Sequence, residues 1–238
     1  MASFHLSIKS GKKGSAANHA AYIAREGKHG KDGKQSDLIA TAHGNLPYWA
    51  DENPTKFWAS ADKHERVNGA AYREYEVALP SELTVDQQKE IINEFIQSEI
   101  GIKPFQYAIH SPTAALGGNP QPHAHIMVSD RLPDDIDRPA ELHFKRHNSA
   151  DPELGGCKKD SGGKDRAQLR EKLISTRANW ARIQNTTLEK SGHEARVDHR
   201  SNKARGINTT PERHLGHLGI KKMSSEEKIE YAGRRKNK

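Results

Sequence analysis

Three histidines constrain this chain more than any other feature: His110, then a 12-residue Gly/Pro-rich interval, then His123-Ala124-His125 heading an apolar run. In a strand alternate side chains share a face, so His123 and His125 project together, about 6.5–7 Å apart. FQYAIH (105–110) and HAHIMVSDR (123–131) read as strands, and a hairpin-like connection brings His110 alongside the pair. Neutral imidazoles from two adjacent strands can meet one divalent cation and leave positions open for substrate or water. Histidine ligation alone favours Zn, Mn, Ni or Co over Mg, and a substrate phosphate oxygen can complete the set. The competing reading is three surface or hydrogen-bonded imidazoles in a chain with 14 histidines.

The rest of the sequence must supply a fold for those strands. SFHLSIK (3–9) alternates like a half-buried strand, SGKKGS reads as a basic turn, and SAANHAAYIAREGKHG reads as a short helix capped by Ser15. Residues 28–56 show no clear period. A helix is expected over 55–69 and a strand over 70–80, ended by Pro80. Thr84 and Gln87 form a capping box for a helix burying Ile91, Ile92, Phe95, Ile96 and Ile100. Residues 143–166 read as a flexible surface loop. A long helix over 166–190 carries Leu169, Leu173, Trp180, Ile183 and Leu188 at helical spacings. Residues 193–201 are expected to form a short strand, and the stretch from about 217 a polar tail, partly helical at best. The order β-α-α-β-α-β-β-α-β predicts an α+β fold: a central antiparallel sheet packed on one face by helices, with a flexible basic C-terminal tail.

Charge narrows the partner. Residues 1–35 carry seven Lys/Arg against Glu26 and Asp32, and residues 196–238 carry twelve against five acids, while the whole chain is +7. The middle is therefore near −5, and the basic ends favour an anionic partner. Lys12, Lys13, Arg25 and Lys28 flank Tyr22, so a phosphate is drawn toward a hydroxyl able to act as a nucleophile. His19 shares the helical face of Tyr22. Glu74 and Glu76 alternate on one strand face, able to take a proton or orient a histidine; Asp37, Asp198 and His5 are lesser candidates of that kind. Tyr48, Trp49 and Trp58 are candidates for stacking on unpaired bases, with Trp58 better placed in the core. Cys157 is the single cysteine, which excludes an intrachain disulfide. No run of 18 apolar residues or hydrophobic leader block is present, so the expectation is a cytoplasmic protein without membrane association.

Together, HLSIKSGKKGSAANHAAYIAREGKH, REYEVALP, AIH…NPQPHAHIMVSDR and ARVDHRS…GI resemble, in order and spacing, the MobA/MobL family of plasmid relaxases. These are HUH-type endonucleases that nick one strand at a plasmid transfer origin. The resemblance covers roughly residues 3–215 and implies a relaxase domain over 1–215 with a basic tail over 216–238. It implies Tyr22 as nucleophile and His110, His123 and His125 as metal ligands. It also implies Glu74 as a functional carboxylate, Asp37 as a further acid, and Mg or Mn as cofactor. The implied partners are single-stranded DNA at the transfer origin, accessory mobilisation proteins and a conjugative coupling protein. Many relatives continue into a primase- or helicase-like region, so a chain of 238 residues is either a relaxase alone or a fragment. Two alternatives stand beside this reading. One is a rolling-circle replication initiator, in which the tyrosine usually follows the histidine pair; the other is a non-catalytic single-stranded DNA-binding module. A zinc hydrolase unrelated to DNA leaves Tyr22 and the basic ends unexplained.

Overall fold

Five strands form the sheet, and their pairing fixes everything that follows. The computed structural model describes residues 4–30, 37–114, 118–209, 219–220 and 222–236. The strands are β1 (Leu6–Lys12), β2 (Leu38–Gly44), β3 (Ala70–Ala78), β4 (Phe105–His110) and β5 (His123–Val128). They form one sheet in the order β1-β3-β5-β4-β2, with every pair antiparallel. The helices are α1 (Ala16–Ile23), α2 (Pro54–His64), α3 (Val85–Phe95), α4 (Ala140–His143), α5 (Arg166–Lys190) and α6 (Ser225–Lys236).

Helices cover both faces of the sheet, not the single face expected. On one face Tyr75, Val77, Tyr107, Ile109, Ala124, Ile126 and Val128 meet the buried stripes of α3 and α5. The expected Thr84–Gln87 capping box starts α3. Ile96–Ile100 continue it as a π turn. Each large side chain fully buried there, such as Phe95, Trp180 or Ile183, contributes roughly 1.5–3 kcal/mol. On the other face Tyr72, Ala108 and Met127 meet α1 and α2 through Ala16, Ala20, Ile23, Phe57, Trp58 and Ala61. That second layer is where the polar strand residues collect.

Several expectations are corrected. β1 runs on through Ser10–Lys12, so the basic turn starts later than SGKKGS suggests. β2 lies in the stretch that showed no period: Ala40 and Ala42 are too small to announce a buried face, and a register shift between Leu38 and Ala40 breaks the alternation. Residues 193–201 form no strand, because Val197 spends its N–H and C=O on the Asn185 side chain, each at 2.8 Å. Residues 143–157 are irregular but fixed. Arg131 donates to the Phe144, Lys145 and Cys157 carbonyls and to Glu65, while Arg138 donates to the Pro152 and Gly155 carbonyls. Leu169 and Leu173 are exposed at 41% and 39%, so the apolar stripe of α5 works only from Thr176 onward. The tail contains a regular helix, α6, opened by reciprocal Ser224–Glu227 bonds. Residues 31–36, 115–117 and 210–218 lie outside the described residues, and with them part of the basic N-terminal segment, of the interval before His123 and of the tail.

The start of α1 is capped from a distance. Ser15 makes no side-chain cap bond, and its hydroxyl donates to the Lys12 carbonyl instead. Asp62 on α2 accepts from the Gly14, Ala16 and Ala17 amides at 2.7, 2.9 and 2.9 Å, so one carboxylate caps α1 and joins the two helices. Asp62→Ala is expected to lower unfolding free energy by about 1–3 kcal/mol, measured in urea, with Asp62→Asn losing less. Equal stability of all three proteins would contradict this capping role.

Candidate active site

Strand register assembles the imidazoles. His110 at the end of β4 lies directly opposite His123 at the start of β5, and His125 follows two residues on, on the same face. Their ring centroids lie 5.2–5.5 Å apart. Their candidate ligand nitrogens all fall within 4.8 Å of one another; among the described residues this is the one His/Cys/Asp/Glu group of three or more with that geometry.

Oxygen acceptors set the tautomers. His123 donates Nδ1–H to the Gln121 carbonyl at 3.0 Å and His125 donates Nδ1–H to Glu74 Oε1 at 2.7 Å, so in each ring Nε2 is the nitrogen left to ligate a metal. His110 is turned the other way. Its Nε2–H donates to the Ile23 carbonyl at 2.7 Å, and Nδ1 accepts from Arg25 Nη2 at 3.1 Å. Burial, with Arg25 adding to it, lowers the His110 pKa to about 4, and burial also lowers that of His123. Both rings are thus neutral near pH 7, the form that ligates a metal.

Glu74 is nearly buried, and burial alone would raise its pKa. Hydrogen bonds from His125 and from His19 Nε2, at 2.7 Å, outweigh that and hold it at about 2. Because folding lowers this pKa, the arrangement adds stability above pH of about 4.5 and loses it as pH falls toward 2. Glu76, opposite His125 in register, is taken by Lys9 and His5. Its pKa is lowered chiefly by the His5 bond.

Tyr22 ends α1 beside this cluster and is 38% exposed. Its neighbour Ile23 supplies the carbonyl that His110 holds. Arg25, in a left-handed backbone conformation (φ 55°), lies with its guanidinium over the Tyr22 ring, 5.0 Å from the centroid. Arg25 also donates to the Tyr22 carbonyl at 2.9 Å and to both Asp37 oxygens at 2.9 and 3.1 Å. That pairing lowers the Asp37 pKa.

The sequence-derived residues therefore separate. Tyr22, His19, Glu74, Asp37 and the three histidines form one connected network, and His5 and Glu76 adjoin it through strand register. Lys12 and Lys28 are exposed and Lys13 is half-exposed. Arg25 is 6% exposed and occupied inside the network, so it does not present a free charge at the surface. Asp198 pairs instead with Arg200 and Arg205. Trp58 is buried and donates to Gln106 at 2.9 Å, Trp49 stacks on Phe57, and Tyr48 is exposed. Sequence reasoning missed His29, whose ring meets Tyr22 edge-on at 5.5 Å, and Tyr72, which stacks on His19. The aromatic and glycine signals were present, but the partners follow only from tertiary structure.

The fold and this network define an α+β protein whose antiparallel sheet presents three imidazoles to an early helix carrying an exposed phenol. A model of the MobA/MobL family matches residues 15–226, and the chain belongs to that family. It is 49% identical over 208 residues to the 43 kDa relaxation protein of Salmonella typhimurium, covering 87% of this chain and 56% of that protein. It is 42% identical over 221 residues to mobilization protein A of Escherichia coli, covering 91% of this chain and 30% of that one. The chain thus spans little more than half of the first relative and under a third of the second. A solved structure described as the molecular basis of vancomycin resistance transfer in Staphylococcus aureus aligns with a TM-score of 0.59. That alignment covers 84% of this chain and 100% of the other at 24% identity, a likeness of fold. No helix among the described residues is long and apolar enough to cross a membrane.

Replacing the buried guanidinium tests the network. Arg25→Lys keeps the charge but not the fork, and Arg25→Met leaves Asp37 without its partner. Urea denaturation is expected to show a loss of about 1–3 kcal/mol for lysine and a larger one for methionine. Two variants as stable as the parent would show that Arg25 does not hold the site together.

Proposed function

We propose that the chain is the nicking domain of a plasmid relaxase, cleaving one DNA strand at a transfer origin through Tyr22. The observation that carries this is the His110 hydrogen bond to the Ile23 carbonyl at 2.7 Å, which fastens the residue next to the phenol to the imidazole cluster. The names of the Salmonella typhimurium and Escherichia coli relatives, a relaxation and a mobilization protein, support the same class of activity.

The proposed step is a transesterification. The Tyr22 oxygen attacks the scissile phosphorus, the bond to the 3′ oxygen breaks, and the net proton passes from the phenol to that leaving oxygen. The products are a 5′-phosphotyrosyl ester and a free 3′-hydroxyl, and the reverse reaction rejoins the strand. His110, His123 and His125 would hold a divalent cation, Mg or Mn. Their donor nitrogens fit one, with the His110 and His123 rings neutral, and it would supply charge stabilisation at the phosphate oxygens. Both His110 nitrogens are engaged, Nδ1 by Arg25 and Nε2 by the Ile23 carbonyl, so a cation held by His110 would displace one of those contacts. With Oε1 accepting from both His19 and His125, Glu74 serves on this reading to orient those rings and is not the base. Asp37 keeps Arg25 charged and in place, His19 braces Tyr22, and His5 and Glu76 line the open sheet beside β1. Lys12, Lys13 and Lys28 offer positive charge to the DNA backbone.

On this reading residues 1–215 form the nicking unit and 216–238 a basic appendage. The domain works in the cytoplasm with single-stranded DNA, accessory mobilisation proteins and a coupling protein.

Incubation with labelled origin oligonucleotides and Mn is expected to give a denaturation-resistant protein–DNA adduct. Tyr22→Phe should abolish it and leave DNA binding nearly intact. Cleavage without attached protein would favour a hydrolase, and binding alone a non-catalytic module. Glu74→Gln is expected to weaken Mn binding about 10–100-fold by calorimetry, since it frees the His125 ring to turn. Unchanged affinity would contradict the orienting role.

A further inference from the structure

We propose that Tyr72 is a positioning residue for Tyr22, acting through a stack of three rings laid over Gly11. This deepens the nicking reading and rests on Tyr22 as nucleophile.

Gly11 and Tyr72 face each other across β1 and β3. A Cβ on Gly11 would sit 1.9 Å from Tyr72 Cε1, so the ring lies across the strand where no larger residue leaves it room. The His19 ring stacks on Tyr72 at 5.2 Å with planes 11° apart, and the Tyr22 ring follows at 6.0 Å and 22°. Trp58 meets Tyr72 edge-on at 6.2 Å, which ties the base of the stack to the core. His19 also donates to Glu74, so the middle ring is fixed both by stacking and by a charged hydrogen bond.

The consequence is mechanical. Tyr22 sits on the last turn of an eight-residue helix. A phenol there swings about χ1 unless its ring is held. The stack supplies a flat surface reaching back to a buried core residue, with Arg25 over the ring and His29 at its edge. Holding a nucleophile in its attack geometry acts on rate and leaves ground-state binding of the strand nearly untouched. Tyr72, distant in sequence from Tyr22 and 8% exposed, thus sets the nucleophile without serving as a catalytic residue.

The test uses Tyr72→Phe, which keeps the ring, Tyr72→Leu, which removes it, and Gly11→Ala on the edge strand β1, which pushes it aside. Single-turnover adduct formation at saturating oligonucleotide is expected to fall about 10–100-fold in Tyr72→Leu and Gly11→Ala. Oligonucleotide affinity should stay within about twofold, and Tyr72→Phe should keep the parent rate. In parallel, 3-fluorotyrosine placed at position 22 should give a single displaced fluorine resonance that collapses toward the free-phenol position in the two disruptive variants only. The proposal is overturned if both keep the parent rate and fluorine shift, or if Tyr72→Phe loses as much rate as Tyr72→Leu. If the parent protein forms no adduct, the nicking reading fails, while the fluorine signal still decides whether Tyr72 holds the Tyr22 ring.

Discussion

A single carboxylate oxygen joins the two halves of this site. Glu74 Oε1 accepts from His19 on α1 and from His125 on β5, each at 2.7 Å, with the Glu74 side chain itself buried. Without those two donors the buried charge would be costly, since burial disfavours an ionised carboxylate by several kcal/mol. With them, the helix bearing Tyr22 and the strand bearing the imidazole pair become parts of one polar network. The bond to Glu74 also turns His125 so that Nδ1 faces the carboxylate and Nε2 is the candidate ligand atom.

A second charge centre reinforces the first. Arg25 sits in a left-handed conformation that is unfavourable for a non-glycine residue, yet its guanidinium meets Asp37, the Tyr22 carbonyl and His110 together. Strained backbone of this kind persists where surrounding contacts over-determine it. Here those contacts are five hydrogen bonds that converge on the end of α1. The apolar layer of α3 and α5 lies on the opposite face of the sheet, so the site face can stay polar without costing the core.

How much was legible beforehand follows from the range of each interaction. The alternation of His123 and His125 has period two, and period two survives folding; Thr84 and Gln87 cap a helix through contacts three residues apart. The motif order from Tyr22 to His125 was also enough to place the chain in its family. Contacts between distant segments left no local mark. Asp62 caps a helix that begins 46 residues earlier, Arg25 turned inward although Glu26, Gly27 and Lys28 after it are exposed, and Tyr72 found His19 only because β1 and β3 pair with Gly11 beneath it. β2 hid because its buried positions are alanines. Residues 193–201 hold one β-branched residue, Val197, and the Asn185 amide claims the backbone groups a neighbouring strand would have needed.

The claim that Glu74 orders the site is tested most directly by long-range proton–nitrogen correlation spectra of the metal-free protein at neutral pH. The expected result is a proton on His125 Nδ1, with Glu74→Gln disturbing the His19 and His125 signals together. A His125 Nδ1 without a proton in the parent protein, or a substitution that shifts only one of the two rings, would contradict it.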